Sequence, residues 1–172
     1  MIIQSKNFIL RPVRRGDEVS IVKNINNKKI SKNTATIPYP YTMEDAKGWI
    51  REKINQYKNK NSSDIVWGIE IDGEICGAIG LHEIVPGHKG ELGYWIGEKF
   101  WGRGIMTEAT KLVCNYGFKK LKLKRIWAKV YVFNTGSKRV LEKSGFALEG
   151  ICRKEAKKGN KYIDAYLLAK IK

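Results

Sequence analysis

Phe100-Trp101-Gly102-Arg103-Gly104-Ile105-Met106-Thr107-Glu108-Ala109 decides how this chain folds. Two glycines, two residues apart, stand between a strand-like run, Glu91-Leu92-Gly93-Tyr94-Trp95-Ile96-Gly97, and an amphipathic helix. The helix face is marked by Ile105, Ala109, Leu112, Val113 and Tyr116. A helix N-terminus carries N–H donors without partners and a partial positive charge. Gly102 and Gly104 can take backbone angles closed to other residues and let main chain approach a ligand closely. The stretch therefore predicts a seat for a phosphate or pyrophosphate held by backbone N–H groups.

Working outward, Asn7 to Val13 predicts a strand and Asp17 the cap of a helix carrying Val19, Val22 and Ile25. Thr42 caps a second helix, with Ala46, Trp49, Ile50, Ile54 and Tyr57 at helical spacing. Ile65, Trp67, Ile69 and Ile71 alternate, and Asp72-Gly73 turns the chain into a return strand reaching about Ile84. Pro86-Gly87 makes the next turn. Ile126, Ala128, Val130 and Val132 alternate with Trp127, Tyr131 and Phe133, a strand apolar on both faces and so central. Ser137 to Lys143 is a short helix stopped by Gly145, and two last strands flank Gly159-Asn160. The order β-α-α-β-β-β-α-β-α-β-β predicts a mixed sheet covered by helices, of α/β or α+β class, as a single domain over 1–172. It lacks the regular βαβ alternation of a dinucleotide fold. The loop is too short for G-x-G-x-x-G and has no G-K-[ST] ending, so NAD and ATP are poor candidates for the pyrophosphate.

Of the 172 residues 42% are hydrophobic, enough for a core, and no run approaches the ~20 apolar residues of a membrane span. The N-terminal residues show no secretory pattern. Cys76, Cys114 and Cys152 are lone and widely spaced, which argues against disulfides or a metal site and predicts thiols in a reducing cytoplasm. The net charge of +16 has three readings: a solvated lysine-rich face, attraction of an anionic cofactor or acidic substrate, or contact with RNA or the ribosome.

Three segments carry a family resemblance: Gly93-Tyr94-Trp95-Ile96 with Trp101 to Ala109; Asn134-Thr135-Gly136-Ser137 through Gly145-Phe146; and Glu149-Gly150 through Tyr162-Ile163-Asp164 to Tyr166. In this order and spacing the chain resembles the GNAT superfamily of acetyl-CoA-dependent N-acetyltransferases. More narrowly it is similar to the ribosomal-protein N-terminal acetyltransferases of RimJ/RimL type. The resemblance implies a mostly antiparallel sheet of six to seven strands, splayed in the middle, with helices on both faces. It implies acetyl-CoA as donor, with Gly102, Arg103, Gly104, Ile105, Met106 and Thr107 on the pyrophosphate. It implies that the preceding strand is bulged and pairs with the pantetheine arm through Trp95, Ile96 and Gly97. It places Asn134 and Ser137 near the pantetheine and thiol, and Lys143 near the adenosine 3′-phosphate. Leu141 stands where some relatives use a catalytic Tyr, so that role does not transfer.

Acetyl transfer needs a neutral amine, a stabilised carbonyl oxygen and a proton for the leaving thiolate. An α-amine with pKa ~8 asks less of a base than a lysine at ~10.4. Candidate bases are Glu83 and Glu91, each also readable as an ordinary surface carboxylate. Ser137 is the candidate thiolate donor, or simply a helix-cap hydroxyl. Tyr94 and Tyr131 are candidates to wall the amine channel, with aromatic core packing as the other reading. His82 and His88 do not form a ligand pair, and no metal is expected. The acceptor is a protein N-terminus or a small amine, and a non-catalytic CoA-binding, RNA-associated protein is the reading from a different class. An apolar strand edge leaves a homodimer open.

Overall fold

A computed structural model describes residues 1–59 and 61–172. Strands β1 (Ile3–Gln4), β2 (Ile9–Arg11), β3 (Ile65–Ile71), β4 (Glu74–Val85), β5 (Lys89–Ile96), β6 (Arg125–Tyr131), β7 (Ala147–Lys158) and β8 (Lys161–Ile171) form one sheet, in the order β1-β2-β3-β4-β5-β6-β8-β7. That is one strand more than the upper expectation; the extra one is two-residue β1, too short to show periodicity. Every neighbouring pair is antiparallel except β5 and β6.

Helices α1 (Glu18–Ile25), α2 (Lys28–Asn33) and α3 (Met43–Lys58) cover one face; α4 (Ile105–Lys119) and α5 (Thr135–Lys143) are associated with the other. Two apolar clusters follow. Ile21, Ile25, Ile50, Ala78 and Trp95 fill the first, and Leu81, Leu92, Ala109, Val113, Ile126 and Leu141 belong to the second. Helix α2 was not legible as a helix: it is six residues, buries only Ile30, and starts where Asn27 accepts the Lys29 N–H. At α3 the expected cap is present in full. Thr42 and Asp45 exchange side-chain-to-backbone hydrogen bonds, satisfying two N–H groups that the helix itself cannot.

Asp17 precedes α1 but its side chain does not cap the helix. Its carboxylate accepts two bonds from the Arg11 guanidinium, at 2.8 and 2.8 Å, and a third from the Arg14 N–H at 2.8 Å. Arg11 also bonds Glu70. This buried ion triad ties β2 to β3 and to the start of α1. A bidentate bond between two ionised groups is stronger than the single carboxylate-to-N–H cap bond it displaces.

β5 and β6 pair over only three residues each, Lys89↔Arg125, Gly90↔Ile126 and Glu91↔Trp127, and then diverge. The extra residue expected in β5 lies instead in β4, where the register with β5 shifts between His82 and Val85. There Glu83 has φ +48°. Main-chain and side-chain bonds to the preceding loop hold the bulge: Ile84 N–H to Ser63 O at 2.9 Å and Glu83 N–H to Asp64 Oδ1 at 3.2 Å.

Candidate active site

The divergence of β5 and β6 opens a cleft of about 1210 Å³ that reaches from α4 and α5 to the α1–α3 face. Gly104, Ser137, Tyr94, Glu91, Trp49 and Tyr41 mark its course.

At the α4 end, Gly102 and Gly104 have φ +74° and +75°, and a Cβ on either would meet nothing within 4 Å. Both glycines are therefore there for conformation rather than for lack of room. The first intrahelical bond is Glu108 N–H to Gly104 O, at 3.0 Å, and no side chain caps the helix. The N–H groups of Ile105, Met106 and Thr107 are left without helical partners and make a positive nest. The Ile105 and Met106 side chains are buried in the core, which leaves their amides free of obstruction. Arg103 is exposed and rests over the Phe100 ring at 5.6 Å.

Along β5, Gly97 N–H donates to Cys76 O at 2.9 Å. Strand alternation then points the main-chain groups of Trp95 towards β4 and those of Tyr94 and Ile96 into the opening. The Trp101 indole already donates to Ile96 O at 2.9 Å, which leaves the N–H groups of Tyr94 and Ile96 facing the opening. Gly97 packs against α1: a Cβ there would lie 3.2 Å from the Asn24 carbonyl and Cβ. Trp95 is buried in the α1–α3 cluster and also lines the cleft.

Across the opening, Asn134 caps α5 by accepting the Ser137 N–H at 3.2 Å. Ser137 Oγ lies 2.8 Å from Tyr94 Oη. Burial pushes the Tyr94 phenol up, so it stays protonated; the bond to Ser137 opposes that shift. The pair can pass a proton from ring hydroxyl to serine hydroxyl. Arg139 and Lys143 stand one helical turn apart on α5, both exposed and both lining the cleft. The sequence reading singled out Lys143 but not Arg139, although their i, i+4 spacing was visible.

The α1–α3 end is acidic. Glu91 lines the cleft, and burial first, then Glu83, Glu155 and Asp64, push its carboxyl up to about 7, against the pull of Lys129. Glu83 itself sits exposed on the bulge and is not among the lining residues. His82 faces Glu91 in register and was missed as a site residue. Its Nδ1 is 3.2 Å from Asp64 Oδ2. Burial alone would raise the Asp64 carboxyl, but His82, the Glu83 N–H and Lys53 outweigh it and hold it low. The ring lies over two glycines: a Cβ on Gly80 or Gly93 would come within 3.1 or 3.3 Å of Nε2. With Nδ1–H directed to Asp64, Nε2 is left as an acceptor. Tyr131, by contrast, does not line the cleft; it is buried beside Phe133, and its hydroxyl has no partner among the described residues.

Fold and cleft together define a GNAT acetyltransferase. The family model described as an acetyltransferase (GNAT) domain matches residues 7–147, and the chain belongs to that family. Its relatives narrow the class to N-acetyltransferases. The chain is 38% identical over 135 residues to a Bacillus subtilis (strain 168) protein named as a probable N-acetyltransferase, YjcK, covering 75% of this chain and 72% of that one. It is 32% identical over 99 residues to the ribosomal-protein-serine acetyltransferase of Escherichia coli (strain K12), covering 57% and 55%. The fold matches RimL, a ribosomal L7/L12 α-N-protein acetyltransferase solved in complex with coenzyme A, with TM-score 0.88 and 22% identity over 99% of this chain and 98% of that one.

Proposed function

We propose that this N-acetyltransferase moves the acetyl group of acetyl-CoA directly onto a protein N-terminal α-amine, with both substrates bound in the one cleft. The observation that carries this reading is the course of the cleft, from the bare amides at Gly104 to the carboxylate of Glu91. The residues fit the donor. Amides of Gly102 to Thr107 would hold the pyrophosphate, Arg139 and Lys143 the further phosphate, and the open lip of β5 the amide-rich arm, as an added strand. Asn134, which lines the cleft, would reach the arm near its thiol. The Ile96 N–H is the donor for the carbonyl oxygen as it becomes an oxyanion.

The acceptor nitrogen, as the neutral amine, attacks the carbonyl carbon and the C–S bond breaks. Glu91 takes the proton that the nitrogen loses, directly or through one water, and Ser137 Oγ–H protonates the departing thiolate as Tyr94 donates to the serine; the proton held by Glu91 is released to the cleft water, and Tyr94 regains one from it before the next turnover. A base titrating at about 7 is matched to an α-amine near 8 and poorly matched to a lysine near 10.4. His82, oriented by Asp64, holds the incoming amine through Nε2.

The test is the mass of peptides incubated with the protein and acetyl-CoA. Peptides with a free Ser or Ala N-terminus should gain one acetyl group, and Nα-blocked peptides with internal lysines should not. Faster turnover of polyamines or aminoglycosides than of any peptide would overturn the protein assignment. Ser137→Ala is expected to lower kcat about tenfold while leaving acetyl-CoA affinity, read by thermal shift, unchanged. Normal turnover would reduce the hydroxyl to a partner of Tyr94.

A further inference from the structure

We propose that the tip of the β7–β8 hairpin, with the end of α2, is a docking surface for single-stranded RNA beside the catalytic cleft. A second hollow, of about 510 Å³, is lined by Lys32, Phe133, Lys158, Lys161, Tyr162 and Asp164, among others. Phe133 and Tyr162 are 42% and 59% exposed, so two aromatic rings border one basic hollow. Lys32 lies over Phe133 at 5.3 Å, and Lys154 and Lys157 over Tyr162 at 5.6 and 5.8 Å. Lys158 lies over Tyr131 at 5.6 Å and donates to the Ser31 and Lys32 carbonyls, which joins the hairpin to α2.

The charge of this hollow is not neutralised locally. Among the described residues, Lys32, Lys154, Lys157, Lys158 and Lys161 have no carboxylate within ion-pair distance. Asp164, whose carboxylate accepts the Lys154 N–H at 2.8 Å, offsets one of these charges and leaves an excess of lysines, and nearby Glu155 is engaged by Lys129. Burial lowers the Lys158 ammonium, an unfavourable state that an anion at the hollow would relieve. Lysines alone would accept any polyanion. The part of each ring that its lysines leave exposed selects bases that are free to stack, which a duplex hides and an acidic peptide lacks. Phe133 also lines the catalytic cleft, so RNA held here lies beside that cleft.

The experiment is fluorescence anisotropy of a labelled U-rich RNA with the apoprotein across a salt series, which does not depend on acetyl transfer. If three or four phosphates are neutralised, log affinity should fall against log salt with a slope of about −2 to −3. Tyr162→Ser should weaken binding about tenfold, and Lys157→Glu with Lys161→Glu by more, with a shallower slope. Lys120→Glu with Lys122→Glu, the same charge change at the far end of α4, should do little. Unchanged stabilisation by acetyl-CoA certifies that each variant is folded. Equal loss in the Lys120/Lys122 control, or displacement of the RNA by poly-aspartate or polyphosphate as readily as by unlabelled RNA, would overturn the proposal in favour of a general polyanion or acidic-protein surface. So would an unaltered affinity in Tyr162→Ser.

Discussion

Gly104→Asp is expected to weaken acetyl-CoA binding by about 100-fold or more, a loss of about 2.7 kcal/mol. The added carboxylate would stand at the N-terminus of α4, where the Ile105, Met106 and Thr107 amides converge and where the pyrophosphate is to sit. Its charge both repels that anion and competes for its donors. The steric part of the effect is small, because a Cβ at Gly104 meets nothing within 4 Å. The conformational part is not, because φ is +75°, where a side chain costs about 1 kcal/mol. Gly104→Asn separates the two. It carries the same strain without the charge and should keep most of the affinity. Calorimetric titration of wild type and both variants decides. Equal affinities of Gly104→Asp and wild type would move the phosphate site elsewhere.

Glu91→Gln is expected to lower kcat about 100-fold with little change in the KM for acetyl-CoA, within the range for loss of a positioned base. The pH profile carries more information than the rate. In wild type, activity should rise through about 7 as Glu91 loses its proton. In the variant that limb should vanish, leaving only the later rise of the α-amine near 8. Stability gives an independent reading with a definite sign. The folded-state pKa of Glu91 is raised from 4.5 to about 7, so the folded protein binds the proton more tightly than the unfolded chain. Stability from this group is therefore present below 4.5 and is lost as pH rises towards 7. Glu91→Gln removes that loss, so the variant should melt higher than wild type at about pH 8 and show no such gain at about pH 4. A mutation that costs turnover and gains stability in the same pH range is hard to explain by misfolding. Loss of both would make Glu91 a structural residue.

How much of this was legible in the sequence depended on the range of the interaction. Local signals read well. Asp72-Gly73 implied a tight turn, and the two residues have φ +51° and +80°. Thr42 implied a cap and forms a full capping box. Gly102 and Gly104 implied unusual backbone angles and have them. Contacts between distant residues did not read at all. Asp17 looked like a cap because nothing local announced that Arg11 would take its carboxylate. Asp64 and His82 are 18 residues apart and meet because the β3–β4 ladder, with Ile65 opposite Leu81, brings Asp64 beside His82. Tyr94 and Ser137 are 43 apart and meet across the gap between two strands. Gly93 leaves the space that the His82 imidazole occupies, whereas a Cβ at Gly80 would meet Ile65 and Val66 before it met the ring. Glu83 and Glu91 were equivalent as letters, and burial separates them: one is exposed on a kink, the other lines the cavity.

The short seam between β5 and β6 makes the body of the protein two half-sheets, hinged where the ladder runs for only three residues each side. A ligand bonded to both lips acts as mortar between them. A donor that bridges both would splice the sheet where the protein's own ladder leaves off, and the folded frame would be steadier loaded than empty.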